Sequence, residues 1–224
     1  MTQTLLGVGL YTLPEAARLL HVKTQTLRRW ADGYIFTKED GSRNSNPVFS
    51  RDLRDRFDRT IITFDDLLEL YMIKQFRGEG VSLQTIRAAA ANASKFFESS
   101  HPFAMKQFET DGKRIFATLE GIGIQELNRS QMVIETYARP FFRKIEFENF
   151  EPLRYWPNGK SGHIVLDRQR SFGKPIDVKS GVPTYVLAGM ARAGETEKNI
   201  ASWYEVSIEA VRESIAYEAT LKAA

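Results

Sequence analysis

Apolar residues in the first part of the chain recur at helical spacing. Ala16, Ala17, Leu19 and Leu20 form one stripe. Just before it, Thr12 and Glu15 carry the Thr-x-x-Glu signature of a capping box, with Pro14 in the first turn, where its missing N–H costs nothing. A second stripe, Val22, Leu27 and Trp30, follows after a few residues, so the pattern predicts two short helices over 11–31, joined by a tight turn and crossing steeply. From Gly33 to Thr60 the helical period is lost. Two short apolar runs, Tyr34-Ile35-Phe36 and Pro47-Val48-Phe49, flank a polar stretch containing Asp40-Gly41, which predicts a hairpin or wing.

Ile62-Thr63-Phe64-Asp65-Asp66 then opens a longer helix that runs to about Gly78. Its apolar residues, Leu67, Leu68, Leu70, Tyr71, Met72, Ile73 and Phe76, are too many for one stripe and predict cover on more than one side. Ser82 can cap a further helix reaching Phe97. Over 103–119 the period changes, and Asp111-Gly112 between two runs with apolar residues predicts a strand hairpin. Gln131 to Tyr137 predicts a short helix before Pro140, while Ile145-Glu146-Phe147 and Tyr155-Trp156 predict strands in an aromatic-rich section that reads as core. After the turns around Gly173 and Gly181, three helices close the chain. The first starts at Thr184, with Val186, Leu187, Met190 and Ala191 on one face, and ends at Gly194. The second spans 196–204 with Ile200, Ala201 and Trp203 inward, and the third is capped by Ser207 with Ile208, Val211 and Ile215 packing. The fold class predicted is α+β, in three parts: an N-terminal helix-turn-helix with a wing over 1–98, a mixed strand-containing middle over 99–160, and a C-terminal three-helix module over 161–224.

Composition narrows the chemistry. With 42% hydrophobic and 26% charged residues the chain of 224 can bury a sizeable core. No cysteine excludes disulfides, thiol nucleophiles and cysteine-ligated zinc, and fits a reducing, cytoplasmic compartment. No apolar run approaches the roughly 18 residues that span a bilayer, and no basic leader precedes one, so no membrane role is expected. His21, His101 and His163 stand far apart without metal-motif spacing, and Gly7-Val8-Gly9 and Gly121-Ile122-Gly123 lack the third glycine or the Gly-Lys-Ser/Thr end of nucleotide loops. No Gly-x-Ser-x-Gly elbow occurs, and Asp65-Asp66 sits where acids favour a helix dipole. No catalytic residue, metal or cofactor is therefore assigned, and the chain is not expected to be an enzyme.

The formal charge of +3 proves nothing until it is located. Ten basic residues face seven acidic ones in 1–60, seven face nine in 61–128, ten face six in 129–180 and four face six in 181–224. A phosphate backbone favours the first section, where the helix pair also lies.

The run Tyr11-Thr12-Leu13-Pro14-Glu15-Ala16-Ala17-Arg18-Leu19-Leu20, with Val22 and Thr26-Leu27-Arg28-Arg29-Trp30, resembles the winged helix-turn-helix of MerR-type regulators, and Thr63-Phe64-Asp65-Asp66-Leu67 with Gly80-Val81-Ser82-Leu83-Gln84-Thr85-Ile86 extends the resemblance to about residue 97. His21 and Lys23 replace the turn glycine and capping serine usual there, which moves the second helix start to Thr24. The resemblance implies that this helix, beginning at Lys23 and Thr24, enters the major groove of operator DNA. Gln25 would then pair with adenine, and Arg28 or Arg29 would reach guanine or phosphate, while Lys38 and Arg43 on the wing touch the adjacent backbone. His163-Ile164-Val165-Leu166-Asp167, Phe172-Gly173-Lys174-Pro175-Ile176 and Ile200-Ala201-Ser202-Trp203-Tyr204 resemble a homeodomain-like family of unknown function common among bacterial antitoxins, with Gly181-Val182-Pro183-Thr184 in place of its Gly-Thr-Arg. Together the two resemble VapB-type antitoxins, which implies an autorepressor that also blocks a PIN-like ribonuclease toxin, through a surface the sequence does not locate. A homodimer is expected, because such a module reads two half-sites through symmetry, with the helices after Gly80 or the aromatic middle supplying the contact. Two other classes stay open: a one-component regulator whose aromatic middle binds a small effector, and an enzyme.

Overall fold

The computed structural model describes residues 7–38, 41–49, 53, 60–119, 121 and 123–222. Strand β1 (Leu10–Thr12) leads into α1 (Leu13–Leu20) and α2 (Thr24–Asp32), followed by a hairpin of β2 (Tyr34–Lys38) and β3 (Gly41–Ser45). Strand β4 (Ile61–Thr63) returns antiparallel to β1 and starts α3 (Phe64–Gly78), which is followed by α4 (Leu83–Phe97), α5 (Phe108–Ala117) and α6 (Ile124–Val133). A π-helical turn over 134–138 joins α6 to α7 (Arg139–Arg143). An antiparallel four-stranded meander of β5 (Ile145–Glu148), β6 (Glu151–Tyr155), β7 (Ile164–Asp167) and β8 (Pro175–Asp177) precedes α8 (Thr184–Arg192), α9 (Glu197–Tyr204) and α10 (Ile208–Lys222).

Helix α3 is the spine. Phe64, Leu67, Leu68, Leu70, Met72, Ile73 and Phe76 are all buried, because α1 covers one side and α4, α5 and α6 lie on others, as its surplus of apolar residues predicts. The largest core cluster runs through it from Leu13 and Leu27 to Phe141 and Ile145. A second, smaller core of Leu187, Ile200, Ala201 and Val211 holds α8 to α10 together.

The hairpin predicted over 103–119 is absent, and Phe108–Ala117 is a helix. Phe108, Gly112, Ile115 and Phe116 are buried at helical spacing, and Phe108 and Phe116 pack on Phe76 with ring centroids 6.3 and 4.9 Å apart. Gly112 serves close packing rather than a turn: a β-carbon there would lie 3.1 Å from Ile134 Cδ1 and from the Phe108 ring. Tertiary burial outweighs the local Asp-Gly signal. The middle section is correspondingly more helical than its sequence suggests, and β6 pairs with β7 across residue 160, joining it to the C-terminal part in one sheet. Pro140 does not end the helix before it. The π turn widens the backbone just upstream, and Pro140 lies in the first turn of α7, where its missing donor is tolerated.

The C-terminal helices match their predicted spans within about two residues, with one correction: Trp203, expected inward, is 56% exposed. The two ends of the chain interlock. The buried Tyr11 hydroxyl donates to the Gly173 carbonyl at 2.6 Å, Arg168 donates to the Gly7 carbonyl at 2.9 Å, and Lys174 lies 3.6 Å from Glu15.

Candidate nucleic-acid interface

Local chemistry sets the helix pair. The Thr12 backbone N–H donates to Glu15 Oε2 at 2.8 Å while Glu15 N–H donates back to the Thr12 hydroxyl at 3.4 Å, so the capping box is closed. Burial pushes the Glu15 carboxyl up, but the Thr12 hydrogen bonds and the Lys174 charge outweigh it and hold the group below its ordinary value. Helix α1 stops because His21 adopts the left-handed conformation at φ 50°, with its N–H and that of Val22 closing on the Arg18 and Ala17 carbonyls at 3.1 and 3.0 Å. Helix α2 then starts at Thr24 with Lys23 at its N-cap, and no side chain caps its first amides.

Leu27, Trp30 and Ala31 pin α2 to the core, which leaves the opposite face outward. Lys23, Gln25, Arg28 and Arg29 are exposed and Thr24 is half-buried. Gln25, Arg28 and Arg29 stand at i, i+3 and i+4, so they share one outward face. The structure thus brings five of the seven sequence-assigned residues together, four on one short helix and Lys23 at its N-cap. Lys38 and Arg43 fall on the paired strands of the hairpin, Lys38 opposite Gly41 and Arg43 opposite Phe36, and their side chains lie outside the described residues.

Two features set the hairpin against α2, and a third ties its base to α4. Gly33 turns the chain out of the helix at φ +77°, and a β-carbon there would lie 2.4 Å from the Ser45 carbonyl, so only glycine fits. The Arg29 guanidinium lies over the Tyr34 ring at 5.3 Å from its centroid, linking the outward face of α2 to β2. Arg87, from α4, reaches the hairpin base: Nη2 donates to the Asn46 carbonyl at 2.7 Å and to the Ser45 hydroxyl at 2.8 Å, and Nε to the Asn46 and Pro47 carbonyls at 3.1 and 3.3 Å. Sequence reading passes over Arg87, because its partners lie some forty positions away and no local pattern marks them.

A buried polar cluster also went unforeseen. His101 Nε2 lies 2.9 Å from Asp66 Oδ1, Asp66 Oδ2 accepts from the Thr63 N–H at 2.8 Å, and Glu69 Oε2 accepts from the Ala104 N–H at 3.0 Å. Asp66 and Glu69 have no exposed surface and His101 only 6%, so these groups tie the 101–104 segment to α3 rather than meet a substrate. Burial pushes the Glu69 carboxyl up to about 8, against the pull of His101 and the backbone N–H donors. Among the described residues no group of three or more His, Cys, Asp or Glu side chains is placed to hold a metal ion, and no helix is long and apolar enough to cross a membrane.

Comparison with known proteins places this geometry. Residues 9–90 match a family described as "Putative DNA-binding HTH domain", which covers the helix pair, hairpin, α3 and half of α4. Residues 164–217 match a family described as "Protein of unknown function", which covers β7, β8 and most of the terminal helices. The chain is 29% identical over 223 residues to a protein of Mycobacterium tuberculosis (strain ATCC 25618 / H37Rv) named "Putative antitoxin VapB45", covering 93% of each. It shares the fold of the crystal structure of Rv2018 from Mycobacterium tuberculosis, with a TM-score of 0.70 at 24% identity over 95% of this chain and 99% of that one. What the chain resembles from end to end is therefore a single two-part architecture, a helix-turn-helix front locked to a C-terminal module of unassigned role.

Proposed function

We propose that this chain is the antitoxin of a type II toxin–antitoxin pair, which binds its own operator as a repressor and neutralises a PIN-like ribonuclease toxin. The observation that carries the DNA half is the outward face of α2, where Gln25, Arg28 and Arg29 stand clear of the core beside a hairpin held rigidly to them. In this reading the N-terminal part works as a MerR-type winged helix-turn-helix. Gln25 and Arg28 read base edges, while Arg29, Lys23, Thr24, Lys38 and Arg43 hold the phosphate backbone. The uncapped amides of α2 favour a phosphate there. The protein acts in the cytoplasm as a homodimer on two half-sites, and performs no chemistry itself. The exposed Phe96 near the end of α4 is a suitable centre for that dimer contact.

The antitoxin half is supported by the end-to-end similarity to the M. tuberculosis relative, and the homeodomain-like C-terminal helices are the natural surface for the toxin. Co-expression with the product of the adjacent gene tests it. A copurifying ribonuclease whose RNA cleavage is suppressed in the complex is the expected result, and an adjacent product that neither copurifies nor cuts RNA would overturn it. A second reading, a one-component regulator with a small effector, is favoured by a cavity between the two parts to which the aromatic middle contributes Tyr155, while other rings of the middle, such as Phe103 and Phe108, are buried against one another.

A further inference from the structure

The two halves do not close completely where α1, α3, the sheet and α10 meet. A cavity of about 440 Å³ remains, within the range of small-molecule sites. Its walls are apolar, with Leu67, Leu68 and Leu166 among them, but Tyr71, Lys74, Tyr155 and Tyr217 also line it. These four come from three separate elements.

Among the described residues, the polar atoms of this group have no partners. Neither the three phenolic hydroxyls nor the Lys74 ammonium makes a hydrogen bond or ion pair to any described residue. Yet none of the three hydroxyls is among the sealed, unsatisfied polar atoms, so each keeps some accessible surface although Tyr217 as a residue is only 8% exposed. A buried phenol normally finds an acceptor, and here the open space is the cavity. Stacking of Tyr71 on Phe141, with ring centroids 4.1 Å apart, holds that phenol in place, and Tyr155 lies 6.4 Å from it, ring to ring.

The sign of charge is equally one-sided. Among the described residues no carboxylate lines the cavity; Glu213 is engaged by Asn158 and the His163 N–H, and Glu218 by the Thr184 hydroxyl. Burial pulls the Lys74 ammonium below its ordinary value with nothing opposing it, and pushes all three phenols up, so they remain O–H donors at neutral pH. Lys74 supplies a cation and the three phenols supply donors; His21, which burial and the Lys74 charge hold below its ordinary value, lines the same cavity, as does Asn158, whose side-chain amide donates to Glu213. With no carboxylate in the lining among the described residues, this set describes a receptor for an acceptor-rich, negatively charged group, and the leucines describe the body attached to it.

We propose that this cavity binds a small organic anion, a carboxylate or phosphate group carried on an apolar body, with Lys74 and the three tyrosine hydroxyls holding the anionic group. The site stands whether or not the protein binds DNA. Isothermal titration of the full chain with 2-naphthoate, decanoate and phenyl phosphate tests it, with 2-naphthamide as the uncharged control. Saturable one-to-one binding of at least one anion is expected, with the amide at least tenfold weaker than naphthoate if naphthoate binds. Lys74→Gln should weaken the bound anion at least tenfold, and Tyr217→Phe, which keeps the ring and its packing, at least threefold. No saturable binding by any of the three anions, or undiminished binding in a folded Tyr217→Phe protein, would overturn the proposal. DNA binding measured on the same samples separates failure of this site from failure of the operator reading.

Discussion

Arg87 offers the sharpest test of how the fold builds its outward surface. Replacing it with Met keeps the length of the stem along α4 but removes every donor to the hairpin base. Two strong contacts are lost, from Nη2 to the Asn46 carbonyl at 2.7 Å and the Ser45 hydroxyl at 2.8 Å, together with two longer ones from Nε at 3.1 and 3.3 Å. A hydrogen bond to a charged group contributes about 1.5–3 kcal/mol, but the Asn46 contacts are solvent-exposed and share one acceptor that water can replace. The four together are therefore worth about 2 kcal/mol, or roughly thirtyfold in the local opening equilibrium. The loss should appear as faster amide exchange in β2 and β3, read by hydrogen exchange, while α3, whose apolar residues are buried in the main core, exchanges as before. On the proposed operator-binding reading, affinity should fall with it, because the phosphate contacts proposed for Lys38 and Arg43 would lose their fixed position relative to α2. Unchanged exchange in β2 and β3 would refute the idea that α4 holds the hairpin.

Three further outcomes follow from the core. Gly112→Val should destabilise the fold by about 2–3 kcal/mol in thermal unfolding, since the added methyls enter space already closed by Ile134 and Phe108, and an unchanged melting temperature would remove that packing account. Glu69, pushed up to about 8 when folded and near 4.5 when unfolded, keeps its proton in the folded state while the unfolded chain loses it. Its contribution is intact below about 4.5 and declines as pH rises toward 8, by on the order of 4 kcal/mol over that window. Glu69→Gln should flatten the decline in urea unfolding measured against pH, and parallel profiles would contradict the assignment. Trp203→Ser should shift stability by less than about 0.5 kcal/mol despite the size of the ring, because the side chain is exposed; a loss above about 2 kcal/mol would place it back in the core.

The parts legible in the sequence are those whose determinants are local. Thr12, Pro14 and Glu15 announce α1, the spacing of Leu27 and Trp30 sets the inward face of α2, and Asp40-Gly41 marks a hairpin, although its second strand is the polar Gly41–Ser45 and not the apolar Pro47-Val48-Phe49 run, because Lys38 pairs directly with Gly41. What escaped depends on distant partners. Asp111-Gly112 reads as a turn until Phe76 and Ile134 are known to close on it. Arg87, His101 with Asp66, and the Tyr71, Lys74, Tyr155 and Tyr217 group each draw on segments far apart in the chain, and no periodicity reports such meetings. Trp203 was misplaced for the opposite reason, since helical spacing puts it near the inner face but the small core of α8 to α10 is already filled by Leu187, Ile200 and Val211.

The central claim is that the outward face of α2 reads a duplex. Fluorescence anisotropy with a labelled fragment from upstream of the protein's own gene, titrated at several salt concentrations against a scrambled duplex, addresses it directly. Arg28→Ala should cost about 1–3 kcal/mol on the specific fragment alone, whereas Lys38→Ala should weaken both duplexes alike and lower the salt slope by about one. Wild-type affinity and slope in both variants would contradict the claim.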